Sequence, residues 1–369
     1  MMTVVFELGR RTIRFSGFKD AEEKPFVSGA IDRCRIHSSK DAVAQILSEI
    51  RATRRGIVDL KPDVLAVRVP FGGTLFRTPV LVDASVVAAL EDMIPRAPIH
   101  LPAAVSLIRG CEETLPGTPI VAVFDTAFFA DLPAKEHLYA LNADLARSLQ
   151  LRRFGYHGIL HQAACSHVVR QTPGERLRIL SICLERRPEL AAVADESPVM
   201  VTGGATPLEG LPGERSSGDI DPSIPLLLAQ KDGYGLEQIN ELLTRQSGLL
   251  GLVGEPVTFS DVFTGKNPAY EPAREVFKYR LLLACGAGVA AMNGLDTIVF
   301  SGAYHALGEI LGPWLISKLK LDRPAKLPPV TWSCFPDTIE YVIAQTAVAA
   351  APSGTQEARP EARKKAHGR

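Results

Sequence analysis

The strongest constraint on the fold is an alternation along the chain. Short runs of β-branched and aromatic residues are separated by longer stretches with apolar side chains at helical spacing. The series opens with "TVVFEL" and "TIRFSGF", which read as a hairpin pair across the tight "GRR" turn. "DAVAQILSEIRATRR" has helical periodicity, and "DVLAVRVP" then reads as a buried strand. "PIVAVFD" is another strand with an aspartate at its C-terminal tip, and "RLRILSICL", "TIVFSG" and "PVTWSCF" continue the pattern. The longest helical candidate is "AREVFKYRLLLACGAGVAAMNGL"; "TIEYVIAQTAVAAA" supplies a last helix. This alternation predicts an α/β fold with functional residues at the carboxyl ends of strands. At 369 residues two domains are expected, with a boundary near residues 148–152 that leaves a lobe over 1–150 and another from 151. The polar, proline-containing tail over 351–369 is expected to be disordered.

Charge and cysteine usage narrow the function classes. Basic and acidic residues balance at 41 each, so nothing suggests a nucleic-acid surface. No apolar run is long enough to span a bilayer, and "MMTVVFELGRR" lacks the layout of a secretory signal. The cysteines at 34, 111, 165, 183, 285 and 334 are far apart, without CxxC or metal-ligand spacing, and read as free thiols of a cytoplasmic protein.

Single polar residues remain ambiguous on their own. "RRFGYHGILHQ" sets Tyr156 and His157 between two glycines where a strand-like stretch becomes helical. A histidine there serves a turn or cap as readily as a reaction. Asp125, after "VAVF", equally suits an N-cap. Arg68 lies in "VLAVRV", a run apolar on both faces, which argues against a freely solvated side chain.

Several stretches taken together resemble acetate kinase and its relatives: "VFDTAF", "FGYHG", "TPLEGL", "SGDIDP", "SGLLGL" and "NGLDTIVF", in that order. The resemblance runs from about residue 3 to residue 348, and "TPLEGL" with "SGDIDP" close behind is its most specific part. It implies a two-lobed fold of the actin, hexokinase and sugar-kinase type, with duplicated ribonuclease-H-like lobes around a cleft. The second lobe would cover 151–335, and a last helix at 336–350 would return to the first. It also implies a homodimer, ATP and Mg2+ as cofactors, and a short-chain carboxylate such as acetate or propionate as partner. The implied reaction is in-line attack of a carboxylate oxygen on the γ-phosphorus of ATP, giving an acyl phosphate without a phosphoenzyme.

Carried over residue by residue, the resemblance makes Asp125 the active-site aspartate and Arg68 the arginine that binds carboxylate and phosphoryl group. His157 becomes the donor to the phosphoryl oxygens, and these three are expected to converge in the cleft. Arg215 stands one residue early for the arginine before "SGDID". The small apolar acceptor pocket maps to Pro70, Ile99, Tyr156 and Pro207.

The donor loops depart from the family pattern. In "ELGRRTIRF", Glu7 stands for asparagine, Arg10 and Arg11 for serines and Arg14 for lysine, while Thr12 keeps a hydroxyl. In "CLERRP", Glu185, Arg186 and Arg187 replace a glycine, asparagine and glycine of the second phosphate loop. Thr258 and Ser260 stand where an aspartate and an arginine flank adenosine, and Ala306 replaces a metal-side glutamate. Each lost donor costs about two powers of ten in rate. The expectation is therefore a carboxylate kinase of weak activity or with another donor such as pyrophosphate; the alternative is a catalytically inactive binding or regulatory protein. The two loops are expected to face one another, with Glu7 pairing with Arg186 or Arg187 and Glu185 with Arg10 or Arg11 across the phosphate volume.

Overall fold

A computed structural model describes residues 1–9, 11–20, 22–33, 38–53, 61–98, 100–230, 233–320 and 328–352. Arg10, Ile99 and the tail from 353 lie outside the described residues. The first sheet contains β1 (Met2–Leu8), β2 (Thr12–Lys19), β3 (Val27–Asp32), β4 (Val64–Val69), β5 (Val80–Leu81) and β6 (Ile120–Phe124), in the order β3-β2-β1-β4-β6-β5. The second contains β7 (Arg178–Cys183), β8 (Glu189–Ala194), β9 (Ser197–Val201), β10 (Thr297–Ser301) and β11 (Thr331–Cys334), in the order β11-β10-β7-β8-β9. Each sheet begins as an antiparallel meander of three strands, and parallel strands are then added beside the first. The expected duplication of two α/β lobes is thus present in the strand order itself.

The period of two in a strand decides what faces the second sheet. In β1, β4 and β6, Val4, Phe6, Leu65, Val67, Ile120 and Ala122 enter one core, together with helices Ser39–Thr53 and Leu101–Thr114. The alternate residues Val5, Val64, Ala66, Val121 and Val123 enter a second core, shared with Ile179, Cys183, Val193 and Val299 of the other sheet. Helices Gly158–Gln171 and Ile339–Ala350 fill the space between the sheets through Ile159, Leu160, Ala164, Ile343 and Ala347. The last helix accordingly packs on β1, β4 and β6 of the first sheet. Burial on both faces explains why these strands read as continuous apolar runs.

Helix Glu271–Met292 covers the far face of the second sheet, where Phe277, Leu281 and Cys285 meet Leu180, Ile182 and Phe300. It stops at Asn293, which takes the left-handed conformation that asparagine tolerates (φ 54°).

Candidate active site

Continuing the alternation of β1, β4 and β6 by one step puts Glu7, Arg68 and Asp125 on the face toward the second sheet. All three stand at the carboxyl ends of adjacent parallel strands. The structure brings them into contact. Arg68 Nε donates to Asp125 Oδ1 and Oδ2 at 3.1 and 3.0 Å, and its Nη1 donates to Glu7 Oε2 at 2.8 Å. Arg14 Nη2, from β2, donates to the same Glu7 oxygen at 3.1 Å. Glu7 and Asp125 are 2% and 3% exposed, so both charges are held by Arg68 rather than by water. Burial pushes the Asp125 carboxyl up to about 6, against the opposing pull of Arg68 and His157. Burial alone would lower the Arg68 pKa, but Asp125 and Glu7 outweigh it and raise it.

A fourth carboxyl completes the group. Glu340, in the first turn of helix Ile339–Ala350, lies against Glu7. Burial, then the hydrogen bond and charge of Glu7, push Glu340 up to about 7, while Arg68 and Arg14 overcome burial to hold Glu7 below its ordinary range. The two carboxyls are thus pushed apart, Glu7 toward its charged form and Glu340 toward its neutral form.

His157 precedes helix Gly158–Gln171, yet its side chain makes no capping hydrogen bond. Gly158 N donates to Asp125 O at 2.9 Å, and a Cβ at residue 158 would come within 2.3 Å of that oxygen. Only glycine lets the helix start so close to the strand end. Beneath the turn, Glu189 (3% exposed) accepts from the backbone N–H of Tyr156 at 3.1 and 3.0 Å and of His157 at 2.9 Å. Burial raises the Glu189 pKa, but His161, His157 and the His157 N–H leave it below its ordinary value. The His157 ring is anchored by a 2.9 Å contact from Nε2 to the carbonyl of Arg187. A carbonyl can only accept, so Nε2 carries the hydrogen. Nδ1 is buried without a partner. A phosphoryl oxygen approaching His157 therefore has to take the place of the Arg187 carbonyl.

Two chambers meet at these residues. One, of about 210 Å³, includes Pro70, Tyr156, Pro207 and Asp125 in its wall. The other, of about 290 Å³, is bounded by Glu185, Ala303, His305 and Glu340. Arg14, Arg68 and His157 line both. Tyr156 is fixed by donation from its hydroxyl to Ala205 O at 2.6 Å.

The remaining candidates are distributed differently. Arg215 is exposed and lines neither chamber. Thr12 opens β2 and also lies outside both. Glu185 accepts from Ala303 N at 2.9 Å in the second chamber. Arg187, expected on the donor side, lines the first chamber instead. Thr258 caps helix Phe259–Thr264, with its hydroxyl and Asp261 satisfying one another's backbone N–H groups. The expected pairing of Glu7 with Arg186 or Arg187 is corrected by the structure, while that of Glu185 with Arg10 lies outside the described residues. Among the described residues Glu7 pairs with Arg68 and Arg14, whereas Arg186 is exposed and 3.9 Å from Glu214. The register of β1 explains this, because it aims Glu7 along its own sheet toward β2 and β4.

Glu189 and Glu340 were not anticipated from sequence. The available signal was a lone acid at the edge of an otherwise apolar element, in "ELAAVA" and "IEYVIA".

Comparison with known proteins gives a consistent result. The model of the acetokinase family matches residues 15–309. The acetate kinase of Clostridium novyi is 30% identical over 346 residues, covering 86% of both chains. The acetate kinase of Thermotoga maritima is 32% identical over 329 residues, covering 82% of both. The crystal structure of Porphyromonas gingivalis acetate kinase superimposes with a TM-score of 0.80 at 25% identity, over 95% of this chain and 99% of that one. A propionate kinase from Francisella tularensis shares the fold, with a TM-score of 0.82 at 24% identity, over 95% of this chain and 100% of that one.

Proposed function

The chain belongs to the acetokinase family, and from that premise we propose that it transfers a phosphoryl group to the carboxylate of a small organic acid. The observation that carries this reading is the position of Arg14, Arg68 and His157 between the two chambers. An acceptor carboxylate in the first chamber and a phosphate chain in the second would meet across the Arg68 guanidinium. The carboxylate oxygen attacks phosphorus, the bond to the bridging oxygen breaks, and the departing phosphate keeps that electron pair. No proton has to move, so positioning and charge compensation are what the protein supplies. Arg68 has five donors, and its contacts to Asp125 and Glu7 use two of them. The remaining three N–H groups are available to the anions on either side.

The family resemblance implies ATP and Mg2+. Among the described residues no group of three or more His, Cys, Asp or Glu side chains is arranged to hold a metal ion. Glu7 and Asp125 are already engaged by Arg68, and Glu340 by Glu7. The carboxylates as arranged do not fit a magnesium ion, and no step is assigned to one. Thr258 serves as a helix cap where the family holds adenosine. A compact polyphosphate donor such as pyrophosphate is the alternative to ATP in this reading.

A second reading, a non-catalytic binding or regulatory protein, is favoured by one observation. Arg68 is neutralised by two carboxylates, and His157 Nε2 is occupied by a carbonyl. Trapping acyl phosphate with hydroxylamine separates the two readings. The proposal also includes a cytoplasmic homodimer. Among the described residues no helix is long and apolar enough to cross a membrane, and Val276, Tyr279 and Leu283 are exposed on helix Glu271–Met292.

A further inference from the structure

The first chamber does not end at the acceptor pocket. Beyond it lies an outer cavity of about 550 Å³ that shares Leu8, Pro70, His100, Arg187 and Pro207 with the first. The shared wall is apolar at Leu8, Pro70 and Pro207. The outer space is different in kind. Its charged residues are Arg33, Arg187 and Arg245, and no acidic residue is among the described residues that line it.

Among the described residues, two of these arginines have no carboxylate partner. Arg187 is half-buried, and among the described residues its guanidinium donates only to the Thr244 carbonyl, at 3.4 Å. Arg33 donates from Nη1 to Gly9 O at 3.3 Å. Neither forms an ion pair with a described residue, whereas Arg245 is paired with Glu241. His100 stands beside Arg187; desolvation and then the arginine charge lower its pKa, which makes the ring a neutral hydrogen-bonding group. A half-buried guanidinium without a counter-charge is costly to maintain. A ligand that brings an anion relieves that cost, and planar Arg groups suit a carboxylate in particular.

We propose that the acceptor is an aliphatic dicarboxylate: one carboxylate reacts at Arg68, the methylene chain crosses Leu8, Pro70 and Pro207, and the second carboxylate is held by Arg187 and Arg33. This deepens the phosphotransferase reading and rests on it for the reacting end alone. A two- or three-carbon acid would leave the outer cavity unused. The two spaces together reach the ~300–1,000 Å³ range of sites that enclose larger ligands. The phosphorylated product would retain one free carboxylate, so the reaction that consumes it is an acyl transfer acting on one end of a diacid.

Calorimetry on the full-length protein without phosphoryl donor tests this independently of turnover. Succinate or glutarate is expected to bind about tenfold or more tightly than butyrate or valerate, the value of a charge-assisted contact. Arg187→Met and Arg33→Met are each expected to return the diacid to the monoacid level. Arg33 makes no ion pair with a described residue, so its substitution decides the matter if the Arg187 variant melts early. Diacids that bind no tighter than monoacids, or whose affinity Arg33→Met lowers by less than about twofold, overturn the proposal. A diacid that binds through these arginines but yields no acyl phosphate supports the site and contradicts the kinase reading. Acyl phosphate from acetate without diacid binding does the reverse.

Discussion

Glu7 and Arg68, 61 residues apart in the chain, are joined by a 2.8 Å hydrogen bond between neighbouring parallel strands. That contact determines how the cleft presents itself to an anion. Where the family resemblance puts a neutral asparagine, this chain places a carboxylate that takes up charge on both Arg68 and Arg14.

Replacing the carboxylate should therefore expose the arginines. Glu7→Asn is expected to strengthen pyrophosphate binding by roughly tenfold or more, since one charge-assisted contact is worth ~1.5–3 kcal/mol. Calorimetry reads the change. Unaltered affinity would mean that Glu7 does not mask the site.

The Glu7–Glu340 pair predicts a pH effect with a definite sign. Glu340 sits at about 7 in the folded protein against an ordinary value of 4.5, so the native state keeps a proton that the unfolded chain gives up. The stabilisation is complete below the ordinary value and is lost as pH rises through about 7. Asp125, raised to about 6, acts in the same direction. Glu340→Gln supplies a permanent donor to Glu7, so its melting temperature should fall less over this range. Parallel melting curves for the two proteins would exclude the raised Glu340 carboxyl.

Glu189 is predicted to hold the His157 turn. In Glu189→Ala the N–H groups of Tyr156 and His157 lose their acceptor, at ~1–3 kcal/mol for each buried group left unpaired. Urea denaturation should show a loss of that order. Glu189→Gln, which keeps one carbonyl oxygen, should lie between the alanine variant and the unmodified protein. A neutral alanine variant would show that water replaces the carboxylate.

The exposed apolar side chains of helix Glu271–Met292 predict a homodimer. Val276→Glu with Leu283→Glu should convert it to a monomer in light scattering at micromolar concentration. An unmodified protein that is already monomeric would end this proposal.

Much of the fold was legible because strands buried on both faces announce themselves as apolar runs, as in "VLAVRV" and "IVAVF". The same pattern argued only that Arg68 is not freely solvated; the family resemblance singled out Arg68 and Asp125 as site residues. Pairing was not legible. Loop composition alone pairs Glu7 with Arg186 or Arg187, whereas strand register aims it at Arg68 and Arg14. The family resemblance puts Arg187 on the donor side, but the turn after β7 carries it to the chamber lined by Pro70, Tyr156 and Pro207. Glu340 escaped notice since its partner is 333 residues away and only packing of the last helix on β1 joins them.

The central claim, that a carboxylate is phosphorylated at Arg68, is tested most directly by trapping acyl phosphate as the hydroxamate. The protein is incubated with mono- and dicarboxylates and with either ATP or pyrophosphate as donor. Hydroxamate should accumulate with at least one donor and fall by ~100-fold or more in Arg68→Ala, the scale of a lost transition-state donor. No hydroxamate above background with any pair, or equal rates in the unmodified and Arg68→Ala proteins, would contradict the account.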